Sequence, residues 1–478
     1  MPALPPVSIP GRRRSPFIAI PSPDSASLAS IFSVRNVRLF ILLKIFFNAR
    51  FYYPIFTILF LDFGLTMAQF ALLNAVWAAT IVVMEVPSGA LADVIGRRKL
   101  LVASGVLMVL EMALLVFAPR NHPQWTLGLF LLNRILSGMA EAMASGADEA
   151  IAYDALKQAG READWPRVLE LQMRCQAIAY IVALSLGAAV YDPRLMQAAA
   201  DFLGCQYQFT QAVTLRIPLA MTFLMSLGTL AIVLRFEEAG NTPRQKNNAS
   251  APGFQDLQQA LALTLRAGSW IWHHGFARAI ILGGLLFDSF GRMVITLSSQ
   301  YYRMVQVPEA LFGVIGSVLA LSGIFIPRVA RRMVNRFSPR TNVLVTGVLI
   351  LIGMSGMSGF FPYWGLLPAF MVSGSMYLTS FFISRYLNQV TESSQRATVL
   401  SFKGLFYNLA YGLVGLGYSV MLAVYRGSLP GDFTAPGTGS VEDFLYMHTF
   451  VVFPGCFLLG LILLSILIRR VLATRHEH

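Results

Sequence analysis

Twelve apolar stretches, each near the ~20 residues a helix needs to cross a bilayer's hydrocarbon core, recur along the chain. They are read at 37–62, 68–88, 100–118, 126–149, 167–190, 212–234, 277–301, 309–330, 342–361, 363–385, 400–424 and 443–468. In lipid every backbone N–H and C=O must be satisfied internally, so only helices and closed barrels span a membrane. The runs are long and unbroken, unlike the roughly 10-residue alternating segments of a barrel strand. An all-α membrane protein of twelve transmembrane helices follows. Composition agrees: 56% of residues are apolar and 13% charged, against about 25% charged in a soluble domain.

The net charge of +13 resembles a nucleic-acid signal until it is read by location. With the N-terminus placed in the cytoplasm, 27 of the 37 Lys and Arg fall on cytoplasmic segments and helix ends. Five fall on the opposite side (Arg120, Arg194, Arg216, Arg303, Arg426) and five inside spans (Lys44, Arg50, Arg134, Arg174, Arg292). This positive-inside asymmetry places both termini in the cytoplasm and assigns the basic charge to orientation. The expected partners are a lipid bilayer and no nucleic acid.

Residues 1–35 are rich in Pro, Ser and Arg and read as a disordered cytoplasmic tail. No apolar core follows Arg12–Arg14 at once, so the segment is not a cleaved signal. Residues 236–275 interrupt the spans at mid-chain, between halves at 36–235 and 276–470; residues 471–478 form a short tail. Within the interruption, Phe254, Leu257, Leu261 and Leu265 share one helical stripe, the pattern of a helix lying on the membrane surface. Cys175, Cys205 and Cys456 suggest no intramolecular disulfide, and the adjacent His273 and His274 lack the helical spacing of a metal pair. Neither a metal nor a cofactor is expected.

The halves show weak internal similarity. Met84-Glu85-Val86-Pro87 returns, 240 residues on, as Ile324-Phe325-Ile326-Pro327, each followed by bases. Phe47-Asn48 lines up with Phe287-Asp288 at the same offset, and Leu136-Ser137-Gly138 resembles Val372-Ser373-Gly374. Two six-span halves related by duplication characterise one transporter architecture.

Between spans two and three lies a short charged turn, Glu85–Lys99, reading EVPSGALADVIGRRK. Residues Gly89 to Lys99 resemble the signature loop of the major facilitator superfamily, GxxxD(R/K)xGR(R/K), with Val94 where a base is usual. Asn133–Gly138 is similar to that family's span-four pattern RxxxG, and Gln395–Ser401 to a stretch of its bacterial drug-efflux-like members. The resemblance covers roughly residues 36–470 and implies two pseudo-symmetric six-helix bundles that rock about a central cavity lined by spans 1, 4, 7 and 10. It also implies a cytoplasmic gate formed by Gly89, Asp93, Gly96, Arg97 and Arg98. Asp93 would contact the start of span eleven, and the arginines would pair with Asp148, Glu149 or Asp154. The late span-five motif GPxxGG of drug/proton antiporters is missing; that region reads Ser185-Leu186-Gly187-Ala188-Ala189.

Charges inside a bilayer cost roughly 2.5–3.5 kcal/mol each on insertion scales, so they are the best functional pointers. Arg134, Glu141 and Asp148 are spaced by seven on span four and share a face, toward either a cavity or a paired neighbouring span. Asp288 and Arg292 are spaced i, i+4 on span seven, as a self-neutralising pair or a proton-coupling acid with its partner. Span one offers Lys44, Asn48, Arg50 and Tyr52; Arg50 is a candidate for an anionic substrate group, for Asp288 or for Glu141. Glu111 on span three reads as structural, Glu85 as a partner for a base of the signature loop, and Arg174 as a local partner of Glu170. Phe47, Phe51, Tyr52, Tyr53, Phe287 and Phe290 are candidates to stack on a hydrophobic substrate, with helix packing the plainer reading.

The expected activity is secondary active transport of a small molecule, with protons as coupling ion, by a monomer in a bacterial plasma membrane. Export of amphiphilic or drug-like compounds is the first expectation. Uptake of a small organic anion or other metabolite is the second, and a non-transporting receptor or scaffold the alternative of another class. No nucleophile–base set, metal cluster or Walker loop is legible, so neither an enzyme nor an ATP-driven pump is expected.

Overall fold

The computed structural model describes residues 32–120, 123–238, 262, 266, 268–391, 396–430, 433–435 and 439–473. Twelve helical segments are long and apolar enough to span: Arg35–Asp62, Met67–Gly89, Arg97–Val116, Trp125–Gln158, Glu162–Tyr191 and Gln211–Val233, then Gly275–Thr296, Glu309–Arg336, Pro339–Met357, Leu366–Val390, Val399–Gly427 and Val441–Leu467. They are numbered spans 1–12 below. Each overlaps a stretch expected from hydropathy. The amphipathic stripe Phe254–Leu265 lies outside the described residues.

Local chemistry sets the span ends. Thr66 and Gln69 form a reciprocal capping box at the start of span 2. Gly96, at φ +93°, ends that helix and opens span 3 within one residue, a conformation that disfavours any side chain. Spans 1, 4, 6 and 12 are interrupted. Span 1 runs as a helix over Arg35–Asn48, breaks, and resumes at Phe56–Asp62 behind a single 3₁₀ turn containing Pro54. Span 4 is helical over Pro123–Ala144 and restarts at Ala147 after a left-handed Gly146.

The face carrying Gly96 is called here the loop face and its opposite the far face. Buried apolar side chains form one cluster that joins both halves toward the far face, where Phe60, Phe70 and Phe130 meet Tyr301, Phe312 and Phe450. Toward the loop face the clusters are separate. One, with Phe40, Leu101, Ile151 and Phe236, belongs wholly to the first half; another, with Ile280, Phe382, Tyr386 and Tyr407, wholly to the second. The buried apolar cores of the two bundles therefore merge at one face only. Spans 5 and 8 pack to backbone contact, where a Cβ on Gly313 would stand 2.0 Å from the Leu184 carbonyl oxygen, and spans 2 and 11 also pack across the interface, where Ser419 donates to the Ala68 carbonyl.

Candidate functional site

The far face is closed by a charge network at the ends of spans 1, 5 and 8 and the turn after span 7. Arg303 donates to both carboxylate oxygens of Asp62 at 2.9 and 3.0 Å and pairs with Glu309 at 2.7 Å. Tyr191 and Gln211 also donate to Asp62. Burial works against the Arg303 charge, yet the hydrogen bonds and negative charge of Asp62 outweigh it and lift the guanidinium pKa above its ordinary value. Beneath this network, Thr57 donates to the Thr296 carbonyl at 2.6 Å and receives the Ser299 hydroxyl at its own amide, which donates at 2.9 Å. Beside it, Glu442 accepts from the Met67 amide, and Asp192 from Ala310.

One helical turn in from Thr296 lies Arg292. It pairs with Asp288, donates to Asn408 of span 11 at 2.7 Å, and lies 5.1 Å from the Tyr411 ring. The pair is reached by solvent: the side chains of Arg292 and Asp288 are 30% and 18% exposed. Across the bundle interface, Arg134 of span 4 is buried against the rings of Phe56 and Phe60, at 5.3 and 5.4 Å. Its hydrogen bonds go to the neutral Asn133 carboxamide, at 2.9 and 2.7 Å.

A third polar region lies off the interface, inside the first bundle. A cavity of about 180 Å³ is lined by Lys44, Asn48, Ser104, Glu141, Asp148 and Thr229 among others. Lys44 pairs with buried Asp148 at 2.5 Å, while the Glu141 carboxylate makes no ion pair among the described residues and is exposed.

A family profile described as Major Facilitator Superfamily matches residues 39–416. The chain belongs to the major facilitator superfamily. No curated protein matches it by sequence. Solved structures of the same fold include the nucleoside transporter NupG, at 13% identity and a TM-score of 0.65, covering 91% of this chain and 98% of that one. They include a bacterial homologue of the human lysosomal transporter Spinster in an inward-facing, occupied conformation (13% identity, TM-score 0.62, coverage 93% and 97%). A third is the xylose transporter XylE from E. coli in a partially occluded inward-open conformation (15%, 0.53, 90% and 96%). At such identities the likeness shows the fold.

Within this superfamily frame the expected residues separate. Arg50 is 2% exposed and pairs with Glu111 of span 3, away from both Asp288 and Glu141. Its surroundings, with Tyr52 1% exposed, leave it closed to a substrate. Asn48 donates to the Lys44 carbonyl and borders the first-bundle cavity. Asp288 and Arg292 pair as their spacing predicts. Of Arg134, Glu141 and Asp148, the last two line the same first-bundle cavity, where Asp148 pairs with Lys44, whereas Arg134 lies apart against Phe56 and Phe60.

Of the three acids considered for the signature arginines, Asp154 takes Arg97. Arg98 donates to the Leu234 carbonyl at 3.1 Å, and Glu149 is exposed. Gly89 is exposed and the side chain of Asp93 lies outside the described residues. Glu85 finds no base among the described residues; its Oε2 is buried without a partner there. Glu170 and Arg174 pair at 2.6 Å. The aromatic candidates divide: Phe47, Phe51, Tyr52 and Phe287 are core, Phe290 packs on Phe453 and Phe457, and Tyr53 is 41% exposed.

Sequence reasoning missed Asp62, Arg303 and Glu309. A signal existed. The contacts Thr57–Thr296, Asp62–Arg303 and Thr57–Ser299 join residues 239, 241 and 242 apart, close to the repeat offset of 240. Repeat mates near a pseudo-twofold axis face each other across it.

Proposed function

We propose that the chain is a proton-coupled secondary transporter of a small solute, described here in its inward-facing state. In this reading the loop face is cytoplasmic, both termini lie there, and the plasma membrane is the host. The observation that carries it is the asymmetry of the bundle contacts: one shared core at the far face, two separate cores at the loop face. Such an arrangement leaves the interface centre reachable from one side only, as alternating access requires.

The coupling acid in this proposal is Asp288. It stands where solvent reaches, beside an Arg292 already bonded to span 11, another helix of its bundle at the interface. Protonating Asp288 would free Arg292 from its intrahelical pair, and deprotonating it would recapture the arginine. Either change alters what the interface offers a substrate. Glu141, exposed and without an ion pair beside the first-bundle cavity, is the second acid in reach of water. Export of amphiphilic compounds draws little support, because four of its six aromatic candidates are buried in the bundles.

Proton flux into proteoliposomes, measured while candidate solutes are supplied with and without an imposed pH gradient, tests this reading. Asp288→Asn is expected to abolish gradient-driven accumulation while exchange at equal pH persists, and Glu141→Gln to weaken accumulation. Unchanged gradient-driven transport in both variants would remove the coupling role.

A further inference from the structure

Four of the basic side chains within the spans can be compared directly. Lys44 has Asp148, Arg50 has Glu111 and Arg292 has Asp288. Arg134 makes no ion pair with any described carboxylate, although it is 4% exposed and sits near the middle of the helix Pro123–Ala144. Its Nε and Nη2 donate to Asn133, and its Nη1 makes no hydrogen bond to a described residue. Asn133 is itself tied down by donating to the Glu111 carbonyl at 2.8 Å, so the guanidinium is held in place by neutral groups. Phenyl faces help a cation but do not neutralise it.

The surroundings add positive charge. Arg292 lies 5.1 Å from the Tyr411 ring, and the charge of Arg134 also reaches the Tyr411 phenol from the first bundle. Lys403, two turns closer to the loop face on span 11, makes no ion pair among the described residues; its charge and that of Arg292 both act on Asp288. Three cations thus stand against one carboxylate at the interface centre. Along span 11, Lys403, Asn408 and Tyr411 form a ladder of donors leading from the open face to Arg134.

We propose that the solute carried is a small organic anion whose carboxylate or phosphate is bound by Arg134, between the two bundles. A buried, forked and permanently charged guanidinium suits that group better than any neutral one. Binding there would also supply the counter-charge that the protein withholds. The inference rests on the transporter reading above and names its substrate class.

The test uses the full chain in proteoliposomes and matched probes: monocarboxylates from acetate to benzoate beside their primary amides, and glycerol 3-phosphate beside glycerol. Uptake of anions without their neutral counterparts is expected, the carboxylate and phosphate arms separating the two sources of negative charge. Arg134→Gln should lower anion uptake roughly tenfold to hundredfold, the scale of one lost hydrogen-bonded charge pair, and Arg134→Lys should retain part of it. The same Arg134→Gln should raise the melting temperature of the ligand-free protein, because it removes an unpaired buried charge; a structural arginine would behave oppositely. Transport confined to neutral or cationic probes, or an Arg134→Gln protein that melts earlier while carrying anions normally, would overturn the assignment and leave the transporter reading standing. Transport of no probe from any class would overturn both.

Discussion

The two faces of the interface are held by different kinds of contact. At the far face the bundles are joined by a charge network centred on Arg303 and Asp62, by hydroxyl–backbone bonds at Thr57, and by helices packed to backbone contact at Gly313. At the loop face the recognisable charges are spent within the first bundle: Arg97 on Asp154, Arg98 on the Leu234 carbonyl just past span 6, Lys44 on Asp148. Arg97 and Arg98 of the segment that identifies the family are therefore engaged within their own bundle in this state, whereas the residues that close the far face belong to no recognisable motif. A gate motif is conspicuous because its residues are consecutive. A latch built from residues about 240 apart is not, although the repeat places it.

The strongest way to break the comparison is steric. Gly313→Leu would push a side chain into the Leu184 backbone, where even a Cβ stands 2.0 Å from the carbonyl oxygen. Overpacking of this kind costs ~1–3 kcal/mol, and the neighbour here is backbone with little room to yield. The cost falls on the far-closed state alone, so the population should move toward far-open by roughly tenfold or more. Spin labels at Phe202 and Trp364, exposed on opposite bundles near the far face, would report a longer, broader distance distribution. An unchanged distribution would show that spans 5 and 8 do not set this closure.

A smaller shift is expected from Arg303→Gln. It leaves Asp62 with Tyr191 and Gln211 but removes its cation. The side chains are 30% and 18% exposed, so the loss sits below the 3–5 kcal/mol of a fully buried broken pair, at about 1–2 kcal/mol. The same two labels should lengthen less than in Gly313→Leu. The swapped pair Asp62→Arg with Arg303→Asp should recover part of the closed population; no recovery would mean that Arg303 acts through Glu309 alone.

Hydropathy located all twelve spans because lipid enforces length and apolarity one helix at a time. The pair Asp288–Arg292 was legible for the same reason: both ends lie one turn apart. Arg50 was not, since its partner Glu111 is 61 residues away and on a helix that resemblance treats as support. Arg134 was recognisable as an intramembrane charge, but that it alone of Arg50, Arg134 and Arg292 lacks an acid among the described residues emerges only once every neighbour is placed.

The smallest expected effect concerns the loop face, which must close when the far face opens. Spans 5 and 8 run antiparallel, and their contacts pair residue 192 with 310, 185 with 317, 184 with 313 and 181 with 317. Continuing that register toward the loop face brings Glu170 opposite the segment between Arg328 and Arg331. Helical spacing keeps these residues on the facing stripes: Gly313, Ser317, Ile324, Arg328 and Arg331 on one helix, Leu184, Ile181, Arg174 and Glu170 on the other. Arg328 and Arg331 are exposed and make no ion pair among the described residues, and Glu170 is held only by its neighbour Arg174. Rocking that opens the far face would offer Glu170 to Arg331, a partly exposed pair adding up to about 1 kcal/mol to the closed loop face. Cysteines at Glu170 and Arg331, in a background lacking Cys175, Cys205 and Cys456, should cross-link faster in the Gly313→Leu protein than in its parent. Equal rates would mean that the two faces do not exchange closure through these helices.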